Sequence, residues 1–200
     1  MVKILSIMKK GNSYLVTTNN AEHKFTEDVI VKHIISKNKK YSDEEFNEIL
    51  AFSNKSDFYN KVLNFLSYKD RSIDEVKNYL IERNCLVFDE IIFSLINKKL
   101  LNDNRYSHNL LENCITNLKG PIFLKHELKK KGIDDIYINK VLTKYSDDRI
   151  NNNLNILIDK ELRNAKSMSF NKYKNQLTSK FMRLGYNYSN INQIISERKI

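Results

Sequence analysis

The chain has 200 residues and a mass of 23.7 kDa, with 34 Lys+Arg against 24 Asp+Glu, a formal charge of +10 and a pI near 9.4. A hydrophobic share of 41% excludes wholesale disorder, while one Pro and four Gly leave too few turn residues for a large all-β fold. No run approaches the ~18 apolar residues of a membrane span, and the two cysteines, Cys85 and Cys114, offer neither a disulfide framework nor a zinc site.

The first 57 residues differ from the rest. Met1 to Lys10 is apolar but runs into polar GNSY without a small-residue cleavage site, so it does not read as a secretory leader. VKILSIMKKGNSYLVTT alternates around Gly11-Asn12 and predicts a hairpin, with AEHKF available as a third short strand. Thr26 is placed to cap a helix through Val29, Ile30, His33 and Ile34, and Ser42-Asp43-Glu44-Glu45 reads as a capping box opening another. Residues 1–57 are therefore expected to form a small hairpin-plus-helix appendage.

From Phe58 onward the apolar spacing is helical, and it repeats. Val76, Leu80, Asn84 and Cys85 stand at offsets 0, 4, 8 and 9; Leu124, Leu128, Gly132 and Ile133 have the same offsets, as do Leu177, Phe181, Gly185 and Tyr186. Ile138, Val141 and Leu142 are then matched by Ile191, Ile194 and Ile195. The period is roughly 50 residues, enough for three helices per unit. Ser72 with Glu75 is a capping box, and Pro121 after Gly120 suits a first helical position. Gly132 and Gly185 fall where a helix must stop in a left-handed conformation, with Asn84 the next-best residue there. A unit of this size buries little alone, so the units are expected to pack in series: repeat 1 over 58–105, repeat 2 over 106–146 and repeat 3 over 147–200.

LSYKDRSIDEVKNYL resembles the signature of the RecX regulatory proteins, in which an Arg-Ser pair opens a helix. LLNDNRY is similar to their next motif, two aliphatics before an acidic turn, an Arg and an aromatic, and LKGPIFLKHELKKKGID to the third, the most specific. Together these span Leu66 to Asp134, and Arg71, Ser72, Arg105, Gly120, Pro121 and Gly132 are their marked positions. The resemblance implies a mainly α fold of three tandem three-helix repeats in an elongated, curved stack, behind the N-terminal appendage. It further implies a non-catalytic protein without cofactor, while the cysteine usage suits the reducing cytoplasm and units that bury their apolar stripes on one another predict a monomer. Its partner would be the filament that RecA forms on single-stranded DNA, bound in the helical groove, with inhibition of ATP hydrolysis, strand exchange and coprotease activity. The setting would be recombination, DNA repair and the SOS response.

The residues independently lack the marks of an active site. His23, His33, His108 and His126 are scattered without metal-ligand spacing, and neither GNSY nor KGPIF makes a phosphate loop. Asp43-Glu44-Glu45, Asp134-Asp135 and Asp147-Asp148 each fall where a helix begins, where the macrodipole favours anions. Arg71 and Arg105, beside helix starts, either hold internal ion pairs or reach the partner.

Charge placement says more than charge total. Residues 1–57 and 58–108 each balance at +1, residues 109–145 at +3 and residues 146–200 at +5. The candidate contact residues are Lys119, Lys125, Lys129, Lys130 and Lys131 in repeat 2, with Lys160, Arg163, Lys166, Lys172, Lys174, Lys180 and Arg183 in repeat 3. Phe170 and Tyr173 are interleaved there and available for stacking on bases. Two readings stand: a solvated face inflated by the Lys and Asn bias of an A/T-rich genome, or contact with an acidic RecA surface or filament DNA. The competing function class is a helical-repeat protein with its own DNA or RNA target, although no unit carries an Arg-, Asn- or Gln-rich recognition helix.

Overall fold

Strand β1 (Val2–Lys10) turns into β2 (Ser13–Thr18) through Gly11 and Asn12, with Lys10 paired to Ser13. Gly11 has φ +64°, the left-handed first position that a type II′ hairpin turn reserves for glycine. The computed structural model describes residues 1–163 and 170–198, with side-chain detail in the second stretch beginning at Tyr173. It contains ten helices and four strands among the described residues. The chain divides into two compact units, Met1–Asp70 with Lys77–Asn97, and Arg71–Val76 with Lys98–Ile200.

In the first unit, AEHKF supplies the third strand, β3 (Glu22–Thr26), and α1 (Glu27–Lys32) follows with Thr26 at its N-cap. A two-residue strand, β4 (Lys40–Tyr41), pairs with the start of β1 and completes an antiparallel sheet in the order β3-β2-β1-β4. The sequence gives no sign of β4, because two residues are too short to display an alternation. Ser42 then caps α2 (Asp43–Ser67): its hydroxyl accepts from the Glu45 amide at 3.0 Å, and the Glu45 carboxylate accepts from the Ser42 amide at 2.7 Å. No Gly or Pro interrupts α2, so it runs unbroken for 25 residues, and the boundary expected at residue 57 lies in its interior. Val2, Ile4, Val16, Phe25, Phe46 and Ile49 form the core between sheet and helix.

The helices α3 (Ile73–Ile81), α4 (Phe88–Asn97), α5 (Asp103–Thr116), α6 (Pro121–Lys130), α7 (Asp135–Leu142), α8 (Asp147–Arg163), α9 (Phe170–Arg183) and α10 (Tyr188–Glu197) complete the chain. The matched apolar positions are all buried: Val76, Leu80 and Cys85, then Leu124, Leu128 and Ile133, then Leu177, Phe181 and Tyr186. The three matched stops share one geometry. Asn84, Gly132 and Gly185 have φ of +55°, +66° and +92°. In each, the next residue donates its amide to a carbonyl five residues back: Cys85 to Leu80, Ile133 to Leu128 and Tyr186 to Phe181, all at 3.1 Å. This is a Schellman closure, and the apolar residue behind the stop is driven into the core.

In the second unit, α5, α6 and α7 pack on one another, as do α8, α9 and α10, around a core that includes Leu111, Leu124, Leu154, Phe181 and Ile191. Burial pushes the Cys114 thiol up to about 11, consistent with a packing role. Asn153 is buried with polar company: its amide donates to the Ile115 carbonyl at 3.0 Å and to the Tyr145 hydroxyl at 3.2 Å, and that hydroxyl donates to the Lys119 carbonyl at 2.6 Å.

The glycine stops also allow a close approach. The end of α9 abuts the start of α6, where the Gly120 amide donates to the Leu184 carbonyl at 2.8 Å and the Ile122 amide to the Gly185 carbonyl at 3.0 Å. These bonds satisfy amide groups that the first turn of α6 leaves without an intrahelical acceptor. A Cβ on Gly120 would lie 2.2 Å from the Gly185 oxygen, and one on Gly185 2.4 Å from the Phe123 nitrogen. The stop of α6 makes a like approach: a Cβ on Gly132 would lie 2.5 Å from the Asp74 Cβ, in the first turn of α3. Thus α9 ends against the first turn of α6, and α6 against the first turn of α3.

Candidate interaction surface

Of the cations expected to reach a partner, Lys131 has a different role. Its ammonium donates to Glu75 at 2.6 Å, both side chains are mostly buried (27% and 17% exposed), and Arg71 stands 3.7 Å from the same carboxylate oxygen. Glu75 also closes the capping box with Ser72, each residue's amide donating to the other's side chain at 3.1 Å. Burial alone would raise the Glu75 carboxyl. Its hydrogen bonds to Lys131 and the Ser72 amide, with the charges of Lys131 and Arg71, outweigh burial and hold it below the usual range. Asp103 completes the junction by accepting from the Ile73 amide at 2.9 Å. Burial keeps that carboxyl raised, with Asp74 and Glu75 adding to the effect.

The other cations fall into two groups. On α6, Lys125 and Lys129 are exposed one turn apart, Lys130 is exposed beside them, and Ile122 and His126 share their face. Lys129 approaches Asp135 at 3.8 Å, a solvated pair that contributes little. Lys119 is half-buried, with its ammonium 5.1 Å from the Phe123 ring centroid. On α8 and α9, Lys160, Arg163, Lys180 and Arg183 are exposed and Lys174 is half-buried. Lys180 donates to Glu161 at 2.6 Å, and both residues line an open cleft of about 790 Å³ with Tyr173, Gln176, Ser179 and Arg183. Lys166 and the side chains of Phe170 and Lys172 lie outside the described residues.

Two further candidates are placed by this geometry. Tyr173 is half-buried against the core at the wall of that cleft, and its hydroxyl is buried with no partner among the described residues. Arg105 is exposed and makes no ion pair among the described residues: its guanidinium donates to the carbonyls of Lys99 and Leu100, at 3.1 and 3.2 Å. The helix-start carboxylates sit as expected, Asp43 to Glu45 in the first turn of α2, Asp134 at the N-cap of α7 and Asp147-Asp148 opening α8. Two cations outside the lysine clusters join them: Lys140 is exposed on α7, and the Lys144 ammonium stands 2.7 Å from His108 Nε2.

Residues 102–142, which hold α5 to α7, match the family model described as RecX, second three-helix domain. The chain is 39% identical over 145 residues to the regulatory protein RecX of Streptococcus mutans, covering 70% of this chain and 56% of that one. It is 31% identical to the crystal structure of RecX from Lactobacillus salivarius, with a TM-score of 0.67, over 72% of this chain and 96% of that one. The chain belongs to the RecX family. A further crystal structure of a regulatory protein RecX shares the fold over 98% of this chain and 100% of its own, with a TM-score of 0.74 at 20% identity. The chain spans less than two thirds of the length of the curated RecX relatives, 56% for Streptococcus mutans and 60% for Streptococcus sanguinis.

Placed in the fold, the marked RecX positions are largely scaffold. Arg71 and Ser72 build the junction at the start of α3, Gly120 and Pro121 open α6 as N-cap and first residue, and Gly132 stops it. Among the described residues, no group of His, Cys, Asp and Glu is arranged to hold a metal ion, and no helix is long and apolar enough to cross a membrane.

Proposed function

We propose that this chain regulates RecA by lying in the helical groove of the RecA–single-stranded DNA filament, where it inhibits ATP hydrolysis, strand exchange and coprotease activity. Membership of a family of regulatory proteins is the observation that carries this reading. In it, an N-terminal appendage over 1–57 precedes three-helix repeats over 58–105, 106–146 and 147–200, stacked into a curved monomer. It acts in the cytoplasm, in recombination, DNA repair and the SOS response. The protein has no chemistry of its own, and the filament supplies the DNA. Its contact residues are the exposed cations of α6, α8 and α9: Lys125, Lys129, Lys130, Lys160, Arg163, Lys180 and Arg183.

The test is to add the purified chain to preformed RecA filaments on single-stranded DNA and to follow ATP turnover and strand exchange. Both are expected to fall; no effect with a cognate RecA at near-physiological salt overturns the proposal. The second reading, an autonomous nucleic-acid binder, is favoured by the exposed lysine stripe on α6. Inhibition at concentrations well below the chain's own dissociation constant for DNA separates the first reading from the second.

A further inference from the structure

The acidic residues of the N-terminal region are concentrated at helix starts: Glu27 and Asp28 in the first turn of α1, and Asp43, Glu44 and Glu45 in the first turn of α2. The near-neutral balance of this region therefore hides a local excess of positive charge. Lys10 at the end of β1, Lys24 on β3 and Lys61 on α2 line one open cleft of about 670 Å³ within the first unit. All three are exposed, and none forms an ion pair among the described residues. Asp57 is the one acid in the lining. The Lys61 ammonium sits 4.9 Å from the Phe58 ring centroid, a contact within α2. The cleft also presents the carboxamides of Asn12, Asn60 and Asn64, exposed donors that make no side-chain hydrogen bond among the described residues.

The form of the cleft selects among anions. A site for a small free anion draws buried amides and charges inward on one point; here all three lysines are exposed to solvent and come from three separate elements. Solvated cations contributed by separate elements suit a polymer that carries a charge on each of its units. The volume is far below that of a duplex, and amide side chains can pair with both phosphate oxygens and base edges. We propose that this cleft is a binding site for the phosphodiester backbone of a single nucleic-acid strand, contacted by Lys10, Lys24 and Lys61 and read loosely by Asn12, Asn60 and Asn64. The inference does not depend on the RecA reading, and its test contains no RecA.

The experiment measures the anisotropy of a labelled 20-nucleotide oligothymidylate titrated with the full chain across a salt series. The K10E/K24E/K61E variant loses tenfold or more in affinity, and its salt slope falls by about 2, three contacts at about 0.7 each for single strands. K37E/K40E/K69E, which reverses three exposed lysines of the same unit outside the cleft lining, stays within twofold of the unaltered chain. N60A/N64A weakens binding severalfold without changing the slope. Circular dichroism and melting of every variant match the parent, because all the altered side chains are exposed. Unchanged affinity in K10E/K24E/K61E, or equal losses in both lysine sets, overturns the proposal. Displacement of the oligonucleotide by poly-glutamate as effective as by unlabelled strand overturns it in favour of an acidic protein partner.

Discussion

Arg71 and Lys131 carry the same charge as Lys125, Lys129 and Arg183, yet the two sets stand in different physical situations. The first pair is folded around Glu75, beside the Gly132 stop, where each cation has an internal acceptor and little contact with water. The second set lies on the outer faces of α6 and α9 with its charges in solvent. Removing a member of the junction strands a partly buried charge, whereas removing a surface cation leaves a neighbour that water solvates equally well. The family-marked positions therefore report mainly on how helices of the second unit are fastened to one another, and the unmarked basic faces on what can be bound.

The sharpest way to break this contrast is at the glycine stops. Gly185→Ala meets backbone on one side and keeps an unfavourable φ on the other, so it is expected to cost about 3 kcal/mol or more. A loss of that size lowers the melting temperature by roughly 6–12 °C in a chain of this length. Gly132→Ala meets the Asp74 side chain, which can shift, and should cost about 2 kcal/mol. Gly11→Ala has a similar φ but open space around it, and is expected to cost only about 1 kcal/mol. Thermal melts of the three variants test the order; equal losses would mean that φ alone matters and that close approach does not.

Glu75→Gln sharpens the contrast from the charge side. At neutral pH it should cost about 1–3 kcal/mol, measured as a shift in urea midpoint. Because the folded carboxyl is held below its ordinary value, Glu75 stabilises the fold fully above pH ~4.5, and the contribution fades as pH falls through the lower folded value. The parent should therefore lose, as pH falls below about 5, stability that the Gln variant does not. Asp103 works in the opposite sense. Its raised carboxyl favours the folded state at low pH, so Asp103→Asn should steepen the acid-side loss.

The smallest stability effects belong to the surface. Lys125→Glu, Lys129→Glu and Arg183→Glu should each change stability by less than about 0.5 kcal/mol. Filament binding by the triple variant should nevertheless fall and lose part of its salt dependence, measured by pull-down on RecA filaments across a salt series. A triple variant that melts early but binds normally would reverse the division between the two sets.

The elements that could be read from the sequence are those whose physics shows in residue type. A left-handed stop requires Gly or tolerates Asn, so Asn84, Gly132 and Gly185 marked three helix ends. Capping boxes are local too, and Ser42 and Ser72 form theirs as read. Features that depend on distant partners were illegible. Lys131 reads like Lys129 and Lys130 because its carboxylate is 56 residues away. Leu118 and Lys99 adopt left-handed φ of +54° and +59° without the residue types that announce it. The cleft of Lys10, Lys24 and Lys61 joins two strands and a helix, and a segment-by-segment charge count averages it away.

The close seating of Gly185 on the start of α6, and of Gly132 on the start of α3, gives α6 both halves of a connector. The helix end is a plug and the first turn of the middle helix a socket. A tandem duplication of roughly 50 residues copies plug and socket together, so no new interface has to be invented when a repeat is gained. The same arithmetic makes partial insertions hard to accommodate, because a plug displaced by a single residue presents a side chain where only a hydrogen fits.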